Sequence, residues 1–272
     1  MVPIGFMAWR IGGLLDVYQQ FDWILSAGFD GVGFHASQGV AGQWQGVDPA
    51  GCQGEKRTQL RRLLERFALV EIHAPFALEL STATLRRSMD GLDPVLAFAG
   101  DIGASVVTVH ARLPETRSEA TADAWHAALS QLDRTAASRG TIVGLETVTG
   151  FESVRSAGFQ RVGITLDVGH VTLAQDRRPL ETSGGIAALI CRLGGGLVHL
   201  HVHDVDGRRD HVEPGTGCID FSALAAALRA SDYRHGITLE LNPDHVSPEG
   251  IQRSRAYVAA ALQENGTFLC AV

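Results

Sequence analysis

The sequence lacks an excess of positive charge: 23 Lys and Arg stand against 30 Asp and Glu, for a net charge of −7. Nucleic-acid binders usually need a basic surface that releases counterions, so a nucleic-acid partner is not expected. No run of ~18 apolar residues occurs, which argues against a helical membrane span. The N-terminal "MVPIGFMAWR" has no basic stretch followed by an apolar core, so no secretory leader is read there. Cys52, Cys191, Cys218 and Cys270 are widely separated and form no CxxC pair. Scattered thiols in a chain this long read as reduced residues of a cytoplasmic protein, without a disulfide framework. There is no GxSxG elbow and no GxxxxGK(S/T) loop. The "GGG" at 194–196 precedes a strand, not a helix, so it is no dinucleotide fingerprint. No linker, charge block or low-complexity segment interrupts the 272 residues, and one domain spanning 1–272 is the simplest organisation.

What is present is alternation. Strand-like runs fall at 3–8 ("PIGFMA"), 30–35 ("DGVGFH"), 69–73 ("LVEIH"), 105–110 ("SVVTVH"), 142–146 ("IVGLE"), 163–167 ("GITLD"), 197–203 ("LVHLHVH") and 236–241 ("GITLEL"). Helical patterns separate them near 15–27, 56–67, 86–103, 119–138, 152–157, 180–193, 221–231 and 248–264. In the fourth, Trp125, Leu129 and Leu132 recur at the spacing of an amphipathic helix. Pro94 and Pro248 sit where they can open helices, Gly140 and Gly266 where they can close them. Eight β-then-α units predict an α/β fold, a closed (β/α)8 TIM barrel.

A second argument for closure is geometric. Strands 2 to 8 each end on a residue able to bind metal: His35, His73, His110, Glu146, Asp167, His201 or His203, and Glu240. In an open sheet with strands ~4.8 Å apart, the outermost of these would lie roughly 29 Å from each other. Closing the sheet gathers them at one mouth, where barrel enzymes carry their chemistry. The two-residue period of a strand agrees. Asp167 shares a face with Thr165, Glu240 with Thr238 and His110 with Thr108, while His199, His201 and His203 lie together opposite Val198, Leu200 and Val202. Glu146, Asp167, His201 and Glu240 then offer one divalent ion three carboxylates and an imidazole, a donor set suited to Zn, Mn, Fe, Co or Mg.

The ordered segments "GLE", "TLDVGH", "HLHVHD" with "EPGTG", and "TLEL" resemble strands 5 to 8 of xylose isomerase-like barrels, a superfamily of sugar-phosphate isomerases and epimerases that also includes endonuclease IV. The resemblance implies one of two site types. In the isomerase/epimerase type one metal is held by Glu146, Asp167, His201 and Glu240, and the two glutamates double as acid and base on a metal-bound hydroxyketone. In the endonuclease IV type, His73, His110, His170 and His211 join as ligands of two or three ions that activate water. Arg209 stands where that type carries a further aspartate ligand, with Asp210 beside it.

Other roles compete with ligation. His73 and His110 can instead hydrogen-bond the ligating carboxylates. His170 is either a ligand or a substrate contact, His199 a core histidine, and His203 a rim residue facing substrate or solvent. His35 is a weaker candidate, and His126, His235 and His245 read as surface groups. Arg112, Arg208 and Arg209 lie just beyond strand ends, where they either hold a phosphate or carboxylate or remain solvated. The expected function is a metal-dependent isomerase or epimerase of a small sugar, sugar phosphate or polyol. A multinuclear phosphoesterase and a metal-dependent lyase are the alternatives, followed by a non-catalytic binding module. The expected partner is a small molecule, with no membrane, and homo-oligomerisation is left open.

Overall fold

Short runs rich in Val, Ile and Leu set the strands, because β-branched side chains pack well on a pleated surface. The computed structural model describes residues 2–8, 16–40, 45–114, 118–173, 178–264 and 270. Its strands are β1 (Ile4–Met7), β2 (Gly31–His35), β3 (Leu69–His73), β4 (Val106–His110), β5 (Ile142–Glu146), β6 (Val162–Asp167), β7 (Leu197–Val202) and β8 (Ile237–Leu239). They pair in parallel in sequence order, and β8 closes onto β1 through Ile4–Ile237 and Phe6–Leu239. The result is the closed (β/α)8 barrel expected from the alternation.

Capping chemistry accounts for the helix boundaries. Asp16 and Gln19 form a reciprocal capping box before Val17–Ser26, and Ser247 caps Pro248–Gln263, whose proline sits in the first turn. Gly140 ends Glu119–Arg139 in the left-handed conformation at φ 71°. The expected helix at 180–193 is two, Arg178–Ser183 and Ile186–Leu193, parted by Gly184 and Gly185 at positive φ. Pro94 does not open a helix: it lies inside Leu85–Ile102, so the expected start there is corrected. That helix accommodates the ring because its apolar face, including Leu92, Val95, Leu96 and Phe98, is buried against the barrel. Gly266 lies outside the described residues.

The expectation of four unpaired thiols is overturned. Cys191, on Ile186–Leu193, forms a disulfide with Cys270, 79 positions away, with the Cα atoms 5.4 Å apart. Tertiary contact, not spacing, creates that pair, and it removes the thiol argument for a reducing compartment. Cys52 and Cys218 remain free. Among the described residues, no helix is long and apolar enough to cross a membrane.

One irregularity matters for the site. β6 and β7 pair Ile164 with Leu197 but Thr165 with His199, so β7 carries one extra residue at that point. Without this bulge, Asp167 would stand opposite Leu200. With it, Asp167 stands opposite His201.

Candidate metal centre

The strand ends meet as parity required. Around the mouth lie His35, His73, His110, Glu146, Asp167, His201 and Glu240, all buried except the partly exposed His110. His201 holds the centre. Its Nε2 is 2.6 Å from Glu71 Oε1, and a carboxylate can only accept, so the Nε2 proton is donated there. Its Nδ1 faces Glu146 Oε2 at 3.4 Å, Glu240 Oε1 at 3.5 Å and Asp167 Oδ2 at 4.0 Å.

Two of these atoms, His201 Nδ1 and Glu146 Oε2, are buried and make no hydrogen bond. Leaving such groups unsatisfied is costly, and three carboxylates around one nitrogen repel one another unless a cation stands between them. Donor atoms ~2.1 Å from one tetrahedral ion lie about 3.4 Å apart, close to the spacings seen here. The residues therefore fit a divalent ion held by Glu146, Asp167, His201 Nδ1 and Glu240.

Flanking donors lie on both sides. Glu146 Oε2 is also 3.4 Å from His73 Nε2 and 3.3 Å from His110 Nε2, a second group whose ligand atoms converge. On the other side Asp167, His170, His203 and His211 converge. His170 Nδ1 donates to Glu146 Oε1 at 3.1 Å, its Nε2 is 3.8 Å from Asp210 Oδ2, and Asp210 Oδ1 is 3.0 Å from His211 Nδ1. Asp210 thus faces these histidines, whereas Arg209 turns outward onto Asp206.

His203 is not a rim residue. It is fully buried, with Nδ1 accepting the His211 backbone N–H at 2.7 Å and Nε2 donating to Asp167 Oδ1 at 2.9 Å. Both ring nitrogens are committed, so it orients Asp167 and cannot serve substrate. The loop that covers it explains the correction. Asp204 accepts backbone N–H groups from Val205, Gly215, Gly217 and Ile219, tying the "EPGTG" segment down over the strand end. His211, at φ 56°, bends its N–H inward to reach His203. Arg112 likewise turns away, donating to Glu79 at 2.8 Å, and Arg208 is exposed.

Sequence reading missed Glu71. It is fully buried on β3, two residues before His73 on the same face, and that shared parity was the available signal. His199 is the core histidine expected, with Nε2 3.0 Å from both Glu71 Oε2 and Thr238 Oγ1. His126 and His245 are exposed and His235 half-buried, all outside the site. Above the centre opens a cavity of about 220 Å³ lined by Met7, His35, Phe76, His110, His170 and His211, among others. The Phe76 ring lies against the His35, His73 and His110 rings at 4.8, 5.2 and 5.0 Å.

Charge is strongly polarised within the site. Burial opposes ionisation of Glu146, but the neighbouring His110, His170 and His201 rings hold it well below the usual carboxylate range. Asp167 is lowered too, burial being outweighed by His170 and His203. The Asp167 charge raises His170 to about 9 against the opposing effect of burial. Burial lowers His211, but Asp210 and Glu240 outweigh it and bring it to about 10. Burial, reinforced by His73 and His110, pushes His35 down to about 3, so it is a neutral ring.

A pH dependence follows for the chelated protein. The depressed carboxylates stabilise the fold above their unfolded values, and that contribution is lost on acidification. The raised His170 and His211 stabilise it fully below about 6.5, and this contribution is lost as pH rises through 9–10. Thermal melts in chelator are therefore expected to show Tm falling from neutral pH toward 10. A flat or rising Tm over that range would contradict the arrangement.

Residues 21–261 match the family model of the xylose isomerase-like TIM barrel. The chain is 27% identical over 207 residues to the uncharacterized protein MJ1311 of Methanocaldococcus jannaschii, covering 66% of this chain and 67% of that protein. Among solved structures it is similar to an L-ribulose 3-epimerase at TM-score 0.74 and 19% identity, covering 97% of this chain and 95% of the other. It is also similar to the 3-keto-D-glucoside 4-epimerase YcjR of E. coli at TM-score 0.71 and 18% identity, covering 96% of this chain and all of the other. At these identities the structural likeness is one of fold.

Proposed function

The chain belongs to the xylose isomerase-like TIM-barrel family, and on that premise we propose that it is a metal-dependent isomerase or epimerase of a small sugar or related polyol. The observation that carries the reading is the pair of carboxylates, Glu146 at the end of β5 and Glu240 just after β8. They stand 3.4 and 3.5 Å from the same unsatisfied His201 nitrogen at the floor of a small cavity. Glu146, Asp167, His201 and Glu240 would hold a divalent ion there, and it would supply the Lewis acidity that makes a C–H beside a carbonyl acidic.

The protein's own groups do the rest. Glu240 accepts the proton from that carbon and releases it to solvent, while Glu146, from the other carboxylate position, supplies a proton received from the charged His170 at its Oε1, which solvent then replaces. His203 fixes Asp167, and His170 fixes Glu146, so that neither ligand turns away as charge moves. The cavity of about 220 Å³ is smaller than the ~300–1,000 Å³ typical of drug-sized ligands, which suits a compact polyol. Histidine rings supply partners for hydroxyls, while Met7 and Phe76 supply an apolar wall for C–H faces.

The test is solvent exchange. Incubated in D2O with divalent metal and a panel of ketoses, the protein is expected to place deuterium at the carbon beside the carbonyl of one substrate and to form its epimer or isomer. A second reading, a multinuclear phosphoesterase, is favoured by the His73–His110–Glu146 group and by Asp210 beside His170 and His211. Absence of exchange with every ketose, together with hydrolysis of a phosphodiester such as bis(4-nitrophenyl) phosphate, would replace the first reading by the second.

A further inference from the structure

We propose that Glu71 is a positioning residue of the metal centre: by accepting the Nε2 proton of His201, it commits Nδ1 of that ring to the metal and holds it there. The proposal rests on the metal-centre reading above and deepens it. Glu71 lies one layer below the ligands, fully buried in the barrel interior. Its Oε1 receives His201 Nε2 at 2.6 Å and the Thr108 hydroxyl at 2.6 Å, and its Oε2 is 3.0 Å from His199 Nε2. Thr108 is in turn 3.2 Å from the Thr165 hydroxyl. Partners from β4 and β7 thus lock the carboxylate in place, and it in turn locks the imidazole.

Donor chemistry decides the direction of the effect. A neutral imidazole has one N–H and one lone pair, and a carboxylate offers only lone pairs. Glu71 therefore selects the Nε2–H form and leaves the Nδ1 lone pair aimed at the space bounded by Glu146, Asp167 and Glu240. A carboxylate behind a ligating histidine also raises its basicity and fixes its plane. The surrounding sequence leaves room for this charge. Gly33 pairs with Glu71 across β2 and β3, and a Cβ there would fall 3.1 Å from Glu71 Oε2 and 2.9 Å from Met7 Cε.

Glutamine at this position keeps the shape but has a single acceptor oxygen. It cannot accept from Thr108, His201 and His199 together without turning its NH2 toward one of their donors. In Glu71→Gln the dissociation constant for Zn2+ or Co2+, measured by chelator competition, is expected to rise roughly 10–100-fold. The visible absorption of the Co2+ form should shift, because the ligand field at His201 changes; loss of a merely space-filling contact would leave it unaltered.

A second measurement needs no variant. In the Zn2+-loaded unmodified chain, 15N NMR of the histidines should place the His201 proton on Nε2 and the metal on Nδ1. Metal on Nε2 would overturn the proposal even if Glu71→Gln does not fold. So would a folded Glu71→Gln chain with unchanged affinity and unchanged Co2+ spectrum. If the unmodified chain binds no divalent ion, this proposal and the functional reading both fall. If it binds metal, loosens on Glu71→Gln and moves no proton on any ketose, the functional reading falls alone.

Discussion

Glu240→Gln is expected to lower turnover roughly 10²–10⁴-fold while the metal stays bound, the loss typical of removing a general base. The two glutamates differ in how tightly they are held. Glu146 accepts from His170 at 3.1 Å and has His73, His110 and His201 within 3.4 Å of its other oxygen. Glu240 is approached, among the described residues, by His201 at 3.5 Å and His211 at 3.7 Å. On the proposed reading the looser carboxylate takes the proton from the substrate carbon, and the tighter one, fed by His170, returns one. Glutamine keeps an oxygen donor for the metal but cannot take a proton. Solvent-deuterium exchange and metal content, measured together, check the claim. A Glu240→Gln protein that retains exchange, or loses exchange only because it loses its metal, would reassign the base.

Metal removal has the second large consequence. Binding at roughly a thousand times the dissociation constant stabilises a fold by about 4 kcal/mol. For a domain of this size that corresponds to a Tm rise of roughly 10 °C. Titrating the chelated protein with Zn2+ or Mn2+ is expected to produce that rise in a single step, with one ion per chain by elemental analysis. His73→Ala should keep the ion and lose activity by roughly tenfold, the low end for removing a group that only supports a ligand. Two or more tight ions per chain, with activity lost in both His73→Ala and His211→Ala, would establish the multinuclear reading. The geometry makes this a real contest, because Glu146 faces two donor groups at once.

Much of the fold was legible because strand periodicity is local: the eight runs and their inward faces follow from alternating side chains. The proposed ligands were legible for the same reason, since each falls at the C-terminal end of a strand on its inward face. The family resemblance carried His170 and His211, which no strand period reaches. Glu71 was overlooked because a carboxylate two residues deeper than the mouth looks like one more interior position until His199 and His201 are seen bonded to it. His203 was placed at the rim because only the folded loop, anchored on Asp204, shows that it is covered. The helix Val168–Leu173, starting at once after β6, was missed because its first turn has no loop before it and uses Asp167 itself to accept the His170 N–H at 2.6 Å.

The sequence by itself determined the barrel and the donor types gathered at its mouth, because these depend on the two-residue period and on chain order. Tertiary structure alone decided the bulge that sets Asp167 opposite His201, the disulfide between Cys191 and Cys270, and the role of each histidine nitrogen. Those depend on which groups from distant strands come within hydrogen-bonding distance. No local pattern in the chain encodes that.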